Sequence, residues 1–126
     1  MRQFRGACHC GLVTFSVRGE LVAATVCNCS ICRKKGYLHW IVPRSQFELL
    51  SGAEALVSYR FNTGVAEHQF CRRCGIHSFY APRSDPDKID VNVRCLDDVN
   101  ADQLELLPFD GEHWEDAIET AHWRTE

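Results

Sequence analysis

The stretch Cys71-Arg72-Arg73-Cys74-Gly75 sets two cysteines three positions apart and follows them with a glycine. This spacing lets both sulfurs face one point, and the glycine permits the tight turn of positive φ that must follow. Near the start of the chain, Cys8-His9-Cys10-Gly11 repeats the pattern with one intervening residue. Each pair supplies two of the four sulfurs that a structural zinc site requires. We therefore predict one such site, made of Cys8, Cys10, Cys71 and Cys74, which joins distant parts of the chain and stabilises the fold.

A second group of cysteines lies in Cys27-Asn28-Cys29-Ser30-Ile31-Cys32. One short turn thus supplies three sulfurs, and a metal with three protein ligands keeps a fourth position for water or substrate, as catalytic zinc does. A substrate thiol suits that position, because zinc holds a bound thiol as thiolate. The alternative is a second structural site, closed by Cys95 or by a histidine.

Cys95 is the only cysteine outside these clusters. It is a candidate fourth ligand or active-site thiol, although a lone cysteine more often fills space in the core. One of the two cysteine pairs could likewise consist of buried free thiols. His39 and His77 lie in strand-like segments, where a hydrogen-bonded strand residue is expected more often than a ligand. No residue stands out as a general acid or base.

The length of 126 residues favours a single domain that spans residues 1–126. A net charge of -3 gives no reason to expect nucleic-acid binding, and no apolar run is long enough for a transmembrane helix. The first residues lack the apolar stretch of a secretory signal, so we expect a cytoplasmic protein. Thiols stay reduced there, which favours metal sites over disulfides. The oligomeric state is left open.

Apolar residues recur mostly with a period of two, which predicts strands. The predicted strands cover residues 12–18, 21–26, 37–42, 56–61, 67–71, 76–80 and 89–94. One helical turn is predicted at 30–35 and a short C-terminal helix at 112–120. The fold class is therefore mostly β, with antiparallel sheets and the cysteines on the turns.

Basic residues stand beside the clusters. Arg33 and Lys34 follow Cys32 directly, and Arg83 lies in the turn Pro82-Arg83-Ser84-Asp85-Pro86. Such charges are most often solvated. Beside an open metal site they are candidates for binding the carboxylates of an anionic thiol such as glutathione.

Taken together, the motifs resemble the glutathione-dependent formaldehyde-activating family, and within it the centromere protein V branch. The residues that carry the likeness are the three cysteine motifs, Ile41-Val42-Pro43, Ser78-Phe79-Tyr80-Ala81-Pro82-Arg83-Ser84, Cys95-Leu96-Asp97 and Phe109-Asp110-Gly111. The resemblance implies a β-tent fold with two zinc ions per chain. It also implies that Cys27, Cys29 and Cys32 hold the second zinc.

The activity that the resemblance implies is that of S-(hydroxymethyl)glutathione synthase, a carbon–sulfur lyase that acts on glutathione–aldehyde adducts. Catalysis would then run through the metal at Cys27, Cys29 and Cys32, with Cys95 as a further candidate. A chromatin role is not implied. Two other functions stay open: a non-catalytic zinc-stabilised module that binds a thiol or a protein, and redox or metal sensing through the same cysteines.

Overall fold

The computed structural model describes residues 1–61 and 63–121, so residues 62 and 122–126 of the predicted domain lie outside the described part. The strands of the described part are β1 (Arg2–Ala7), β2 (Thr14–Gly19), β3 (Ala23–Cys27), β4 (Leu38–Pro43), β5 (Phe47–Ser51), β6 (Leu56–Tyr59), β7 (Glu67–Cys71), β8 (Phe79–Ala81), β9 (Lys88–Asn92) and β10 (Glu105–Phe109). Its α-helices are α1 (Ser30–Lys35) and α2 (Trp114–Ala117).

These strands form two sheets. β1, β2 and β5 make an antiparallel sheet in the order β1-β2-β5. The other strands make a larger sheet in the order β10-β3-β4-β9-β8-β7-β6. Every pair in the larger sheet is antiparallel except β3 and β10, which run parallel at one edge. The predicted mostly β class is confirmed, and the parallel edge pair is an addition to it.

Each predicted strand segment overlaps an observed strand, whereas β1, β5 and β10 were not predicted. β1 was missed because Phe4 is its only large buried side chain. Its other inward position holds Gly6, where a Cβ atom would collide with the ring of Phe15. β10 contains Pro108, which lacks the N–H of a central strand but is tolerated at a sheet edge.

The main core lies where the two sheets face each other. Phe15 of β2 has no exposed surface and contacts the ring of Phe79 from the larger sheet, with centroids 5.9 Å apart. Phe47 of β5 contacts the same ring at 4.7 Å. Removal of these rings from water supplies the main driving force for joining the sheets.

The predicted C-terminal helix is confirmed as a short element. α2 is flanked by one 3-10 turn at Gly111–His113 and another at Ile118–Thr120. Ile118 packs with Phe109 and Ala121 in a small apolar cluster, separate from the main core. Cys27 and Trp114 pack against that cluster, so the C-terminal segment lies beside the end of β3.

Candidate metal centres and the cavity beside them

The thiols of Cys8, Cys10, Cys71 and Cys74 come together in one cluster, with all sulfurs within 4.8 Å of one another. The sulfurs of Cys8 and Cys10 are 3.6 Å apart, and those of Cys10 and Cys71 are 3.7 Å apart. Around a tetrahedral zinc with bonds of about 2.3 Å, neighbouring sulfurs would lie about 3.8 Å apart. The spacing therefore fits one zinc ion. We call this group the four-thiol cluster.

Two tight turns place these sulfurs. Gly11 has φ of 80° and Gly75 has φ of 77°, the left-handed conformation predicted for both positions. The Gly75 N–H donates to the carbonyl oxygen of Cys71 at 2.8 Å, and the Gly11 N–H donates to that of Cys8 at 3.2 Å. Each cysteine pair thus curls around one point.

The four-thiol cluster connects the two sheets. Cys8 and Cys10 lie between β1 and β2 of the smaller sheet, whereas Cys71 ends β7 of the larger one. Cys8 and Cys71 are buried members of the main core, with 4% and 1% of their surface exposed. A metal here would hold together parts of the chain that are 61 positions apart.

The second group of thiols, Cys27, Cys29 and Cys32, also has all its sulfurs within 4.8 Å of one another. Cys27 is the last residue of β3, and Cys32 lies in α1. Cys29 caps the start of α1, and its sulfur accepts a hydrogen bond from the N–H of Cys32 at 3.4 Å. We call this group the three-thiol cluster. It is built from one short segment.

Charge within the three-thiol cluster is shared unequally. Hydrogen bonds with Cys27 and Cys32 lower the pKa of Cys29 to about 2. The hydrogen bond with Cys29 raises the pKa of Cys27 to about 11, and both neighbours raise the pKa of Cys32. The thiols thus favour one thiolate among them. A divalent cation would allow all of them to ionise, as zinc ligands do.

Cys95 lies apart from both clusters. Within the described residues, neither metal-competent group includes it or a histidine. Its thiol points to the carbonyl oxygen of His77 at 3.7 Å, and its side chain packs against the main core. Burial raises the pKa of the Cys95 thiol. The structure therefore gives Cys95 the surroundings of a core filler.

A cavity of about 380 Å³ opens beside the three-thiol cluster. All three thiols line it, together with two of the basic residues singled out in the sequence, Arg33 and Arg83. Lys34 instead lines a neighbouring hollow with Lys35 and Tyr59. A cavity of this size is in the range of small-molecule sites, and two guanidinium groups beside it would favour an anionic ligand.

Arg83 is held in place at the cavity wall. Its guanidinium carbon lies 3.9 Å from the centre of the Trp114 ring. Its nitrogen Nη2 lies 3.9 Å from Oε1 of Glu115, a long ion pair with an exposed partner. Stacking on Trp114 leaves the planar edge of the guanidinium able to bind a carboxylate.

Two hydrogen bonds that were not predicted from the sequence join the turn of the three-thiol cluster to the C-terminal segment. Asn28 donates from Nδ2 to Oδ1 of Asp110 at 3.0 Å, and its Oδ1 accepts from the N–H of Glu112 at 2.9 Å. Gly111 lies so close that a Cβ atom there would collide with the sulfur of Cys27 and approach Cβ of Cys29 to 2.8 Å. Any larger residue at this position would have to displace the cysteines of the three-thiol cluster.

A buried polar network lines the same cavity. Nδ1 of His39 lies 2.7 Å from Oδ2 of Asp90, so the expectation of a hydrogen-bonded strand histidine is confirmed. The Tyr80 hydroxyl lies 3.5 Å from the same nitrogen. His39, Asp90 and Tyr80 all line the cavity. Sequence reasoning missed Asp90, although a carboxylate inside the apolar run of β9 was a usable signal.

A lysine extends this network towards α1. Nζ of Lys35 donates to Nδ1 of His68 at 2.9 Å, and the His68 ring stacks on Tyr80. Burial lowers the pKa of Lys35 to about 8. Burial and the nearby Lys35 lower the pKa of His68 to about 4. His68 is therefore neutral, and it forms part of the cavity wall.

Among residues 1–61 and 63–121, no helix has the length and apolar character needed to cross a membrane.

Comparison with known proteins gives two findings. The model of the family described as glutathione-dependent formaldehyde-activating enzyme matches residues 3–114. Among solved structures, the chain is similar to a Rhodobacter sphaeroides protein determined by crystallography as a structural genomics target, with a TM-score of 0.77 and 39% sequence identity. That match covers 82% of this chain and 97% of the other.

Proposed function

The chain belongs to the glutathione-dependent formaldehyde-activating enzyme family, and from this membership we propose that it is a zinc-dependent carbon–sulfur lyase. In this proposal it forms and cleaves the bond between the sulfur of glutathione and the carbon of an aldehyde, as S-(hydroxymethyl)glutathione synthase does. The observation that supports this most directly is the three-thiol cluster in the wall of a cavity that also carries two arginines.

Both cysteine clusters fit zinc. The four-thiol cluster offers a complete tetrahedral donor set at the right sulfur spacing. The three-thiol cluster offers three donors of the same kind and faces a cavity. A zinc ion held by Cys27, Cys29 and Cys32 would lower the pKa of a thiol that reaches its fourth position. We therefore propose two zinc ions per chain, the first structural and the second catalytic.

The residues of the cavity supply binding and orientation. In the forward reaction the glutathione sulfur attacks the aldehyde carbon, the C=O π electrons move to oxygen, and the oxygen takes a proton. Glutathione carries two carboxylates, and we assign Arg33 and Arg83 as contacts for them, because both line the cavity. Lys34 was predicted for the same role, and its position on the neighbouring hollow makes that assignment the weakest of the three.

We also propose that the chain belongs to the centromere protein V branch of the family, that it is cytoplasmic, and that residues 1–126 form a single domain. A direct role of Cys95 in the site is part of the same proposal. Formaldehyde is the aldehyde that the family description names, and we propose it as the first substrate to test.

The test is exchange spectroscopy on a mixture of glutathione and formaldehyde. The wild-type protein with two zinc ions per chain should accelerate interconversion of free and hydroxymethylated glutathione. Cys29→Ser should abolish the acceleration. Cys95→Ser removes a thiol outside both clusters, and the rate of this variant decides whether Cys95 takes part. Exchange no faster than in buffer would reject the enzyme and favour a non-catalytic thiol-binding module.

A further inference from the structure

His39 and Asp90 form a pair in which the carboxylate orients the imidazole ring, as in enzymes that use histidine to transfer protons. Both side chains are more than nine-tenths buried, with 6% and 2% of their surface exposed. A carboxylate can only accept, so the 2.7 Å contact with Oδ2 of Asp90 places the proton of His39 on Nδ1. The other ring nitrogen, Nε2, then carries no proton and has a lone pair that can accept a hydrogen bond.

Within residues 1–61 and 63–121, that lone pair has no hydrogen-bond partner. Among the described residues, the buried side-chain atoms without a hydrogen bond are Nε2 of His39, Oδ1 of Asp90, Nδ1 of His77 and Oγ of Ser78. Half of these atoms belong to the His39–Asp90 pair. A buried polar atom left unpaired destabilises a fold, so it calls for a partner that binds there.

The surroundings point to a ligand in the cavity as that partner. His39 and Asp90 line the same cavity as the three thiols. The pair sits on adjacent strands β4 and β9 in the middle of the larger sheet, which gives it a rigid support. The Tyr37 hydroxyl donates to the backbone carbonyl oxygen of Asp90 at 2.7 Å and so holds β9 at this position. Rigid support and a free acceptor are the properties that a general base requires.

We propose that His39 is the general acid and base of the reaction, positioned by Asp90; this inference rests on the proposed function. In the forward direction Nε2 accepts the proton that the glutathione thiol releases as it becomes a thiolate, and the thiolate sulfur then forms the C–S bond. The same nitrogen then donates that proton to the aldehyde oxygen, which has received the C=O π electrons. The product is the neutral hydroxymethyl thioether, and His39 returns to its starting form, so atoms and charges balance.

Asp90 acts through His39 in this scheme. Its carboxylate holds the ring in the Nδ1–H form and stabilises the imidazolium that exists between the two proton transfers. The reverse reaction uses the same groups: Nε2 takes the hydroxyl proton, the C–S bond breaks, and the thiolate regains the proton.

Kinetics of side-chain variants test the proposal first. His39→Gln should lower the exchange rate at saturating glutathione by about 100-fold, with glutathione affinity unchanged. Asp90→Asn should lower it less, by about 10-fold, because an amide can donate as well as accept and so no longer fixes the Nδ1–H tautomer. His77→Gln is the matched control, since His77 also has a buried unpaired nitrogen but lines the neighbouring hollow. Equal rates for His39→Gln and wild type, with both zinc ions retained, would overturn the proposal.

Nitrogen-15 spectroscopy of the histidine rings gives a second readout that does not need turnover. His39 should show a protonated Nδ1 and a bare Nε2, and Asp90→Asn should disturb this tautomer. S-(2-hydroxyethyl)glutathione carries a hydroxyl that can donate to Nε2, and S-ethylglutathione lacks only that hydroxyl. The Nε2 signal should shift with the first probe and not with the second.

The two readouts separate the two proposals. If wild-type protein fails to accelerate exchange, the lyase activity is rejected, and the probes then decide whether His39 recognises a ligand hydroxyl. A shift with the hydroxyl probe alone supports a binding role for Nε2 in the cavity. An Nε2–H tautomer, or the same response to both probes, overturns the assignment of His39 whatever the rate.

Discussion

The four-thiol and three-thiol clusters use the same side chain in different surroundings. The sulfurs of the four-thiol cluster come from both sheets and sit against the main core. The sulfurs of the three-thiol cluster come from a single turn and line a cavity. Only Cys27 of the three-thiol cluster packs against an apolar cluster, and that cluster is the small one at the C-terminal helix.

This difference separates a stabilising role from a chemical one. Closing a long loop restricts the unfolded chain, so a metal that joins Cys10 to Cys71 contributes strongly to folding. A metal held by residues 27–32 closes almost no loop, and it contributes little to the fold by this route. Its donors instead face space that a ligand can enter.

The largest effect should follow loss of one thiol from the four-thiol cluster. Cys8→Ser removes a buried ligand, and the melting temperature should fall by about 10 °C or more, because the binding free energy of a structural zinc is also folding free energy. Thermal unfolding followed by circular dichroism measures this. Cys29→Ser is the matched comparison and should shift the midpoint much less. A larger shift for Cys29→Ser would reverse the division of roles.

Mild chelation should separate the two sites next. The three-thiol site is reached through the cavity and has only three protein donors, so its zinc should leave first. Metal analysis after brief exposure to a chelator should give close to one zinc per chain, with the fold retained. Simultaneous loss of both ions, or equal resistance, would show that the sites do not differ in access.

The sequence predicted the four-thiol cluster better than it predicted the cavity beside the three-thiol cluster. Cysteine spacing and the glycines after each pair predicted the turns of the four-thiol cluster, because a metal knuckle is a local structure. Strands with alternating apolar residues, such as β2 and β9, were also predicted. β1 and β10 were missed since one has a glycine and the other a proline at a key position.

The cavity was harder to predict because it depends on contacts between distant segments. Charge alone predicted Arg33 and Arg83 as ligand contacts, and both residues lie in the wall of the cavity. His39 and Asp90 are 51 positions apart, and only the pairing of β4 with β9 brings them together. The close approach of Gly111 to Cys27 depends in the same way on the parallel pairing of β3 with β10.

A smaller effect should follow from adding one methyl group beside the three-thiol cluster. In Gly111→Ala the new Cβ collides with the sulfur of Cys27, so the donor set must shift and zinc affinity at this site should fall about 10-fold. Competition with a chromogenic chelator measures the affinity. The four-thiol site should be unaffected.

Gly64→Ala is the control for this substitution. It adds the same methyl group at a glycine with φ of 71°, where no atom of the described residues beyond the chain neighbours lies within 4 Å of the new Cβ. Its backbone strain should lower stability slightly, and zinc affinity at both sites should stay at the wild-type value. If Gly111→Ala binds zinc as tightly as Gly64→Ala, the C-terminal segment has no part in shaping the three-thiol site.

The smallest effect concerns ligand charge at the cavity. Arg83→Ala removes a guanidinium that is stacked on Trp114 with 29% of its side chain exposed. A partly exposed contact with a carboxylate is screened by water, so the dissociation constant for glutathione should rise only about threefold to tenfold. Calorimetry with glutathione measures it, at low and at high salt. The loss should shrink at high salt, because salt also weakens the wild-type contact.

Two further variants decide whether that loss reflects the charge or the stacked geometry. Arg83→Lys keeps the charge but cannot present a planar pair of donors, so it should recover only part of the affinity. Arg44→Ala removes an arginine that lies outside the cavity wall and donates to the carbonyl oxygen of Pro86, and this variant should bind glutathione like the wild type. If Arg83→Ala also binds like the wild type, stacking on Trp114 only fixes the C-terminal segment. Among the described residues, Arg33 would then be the remaining arginine of the cavity wall that could bind a glutathione carboxylate.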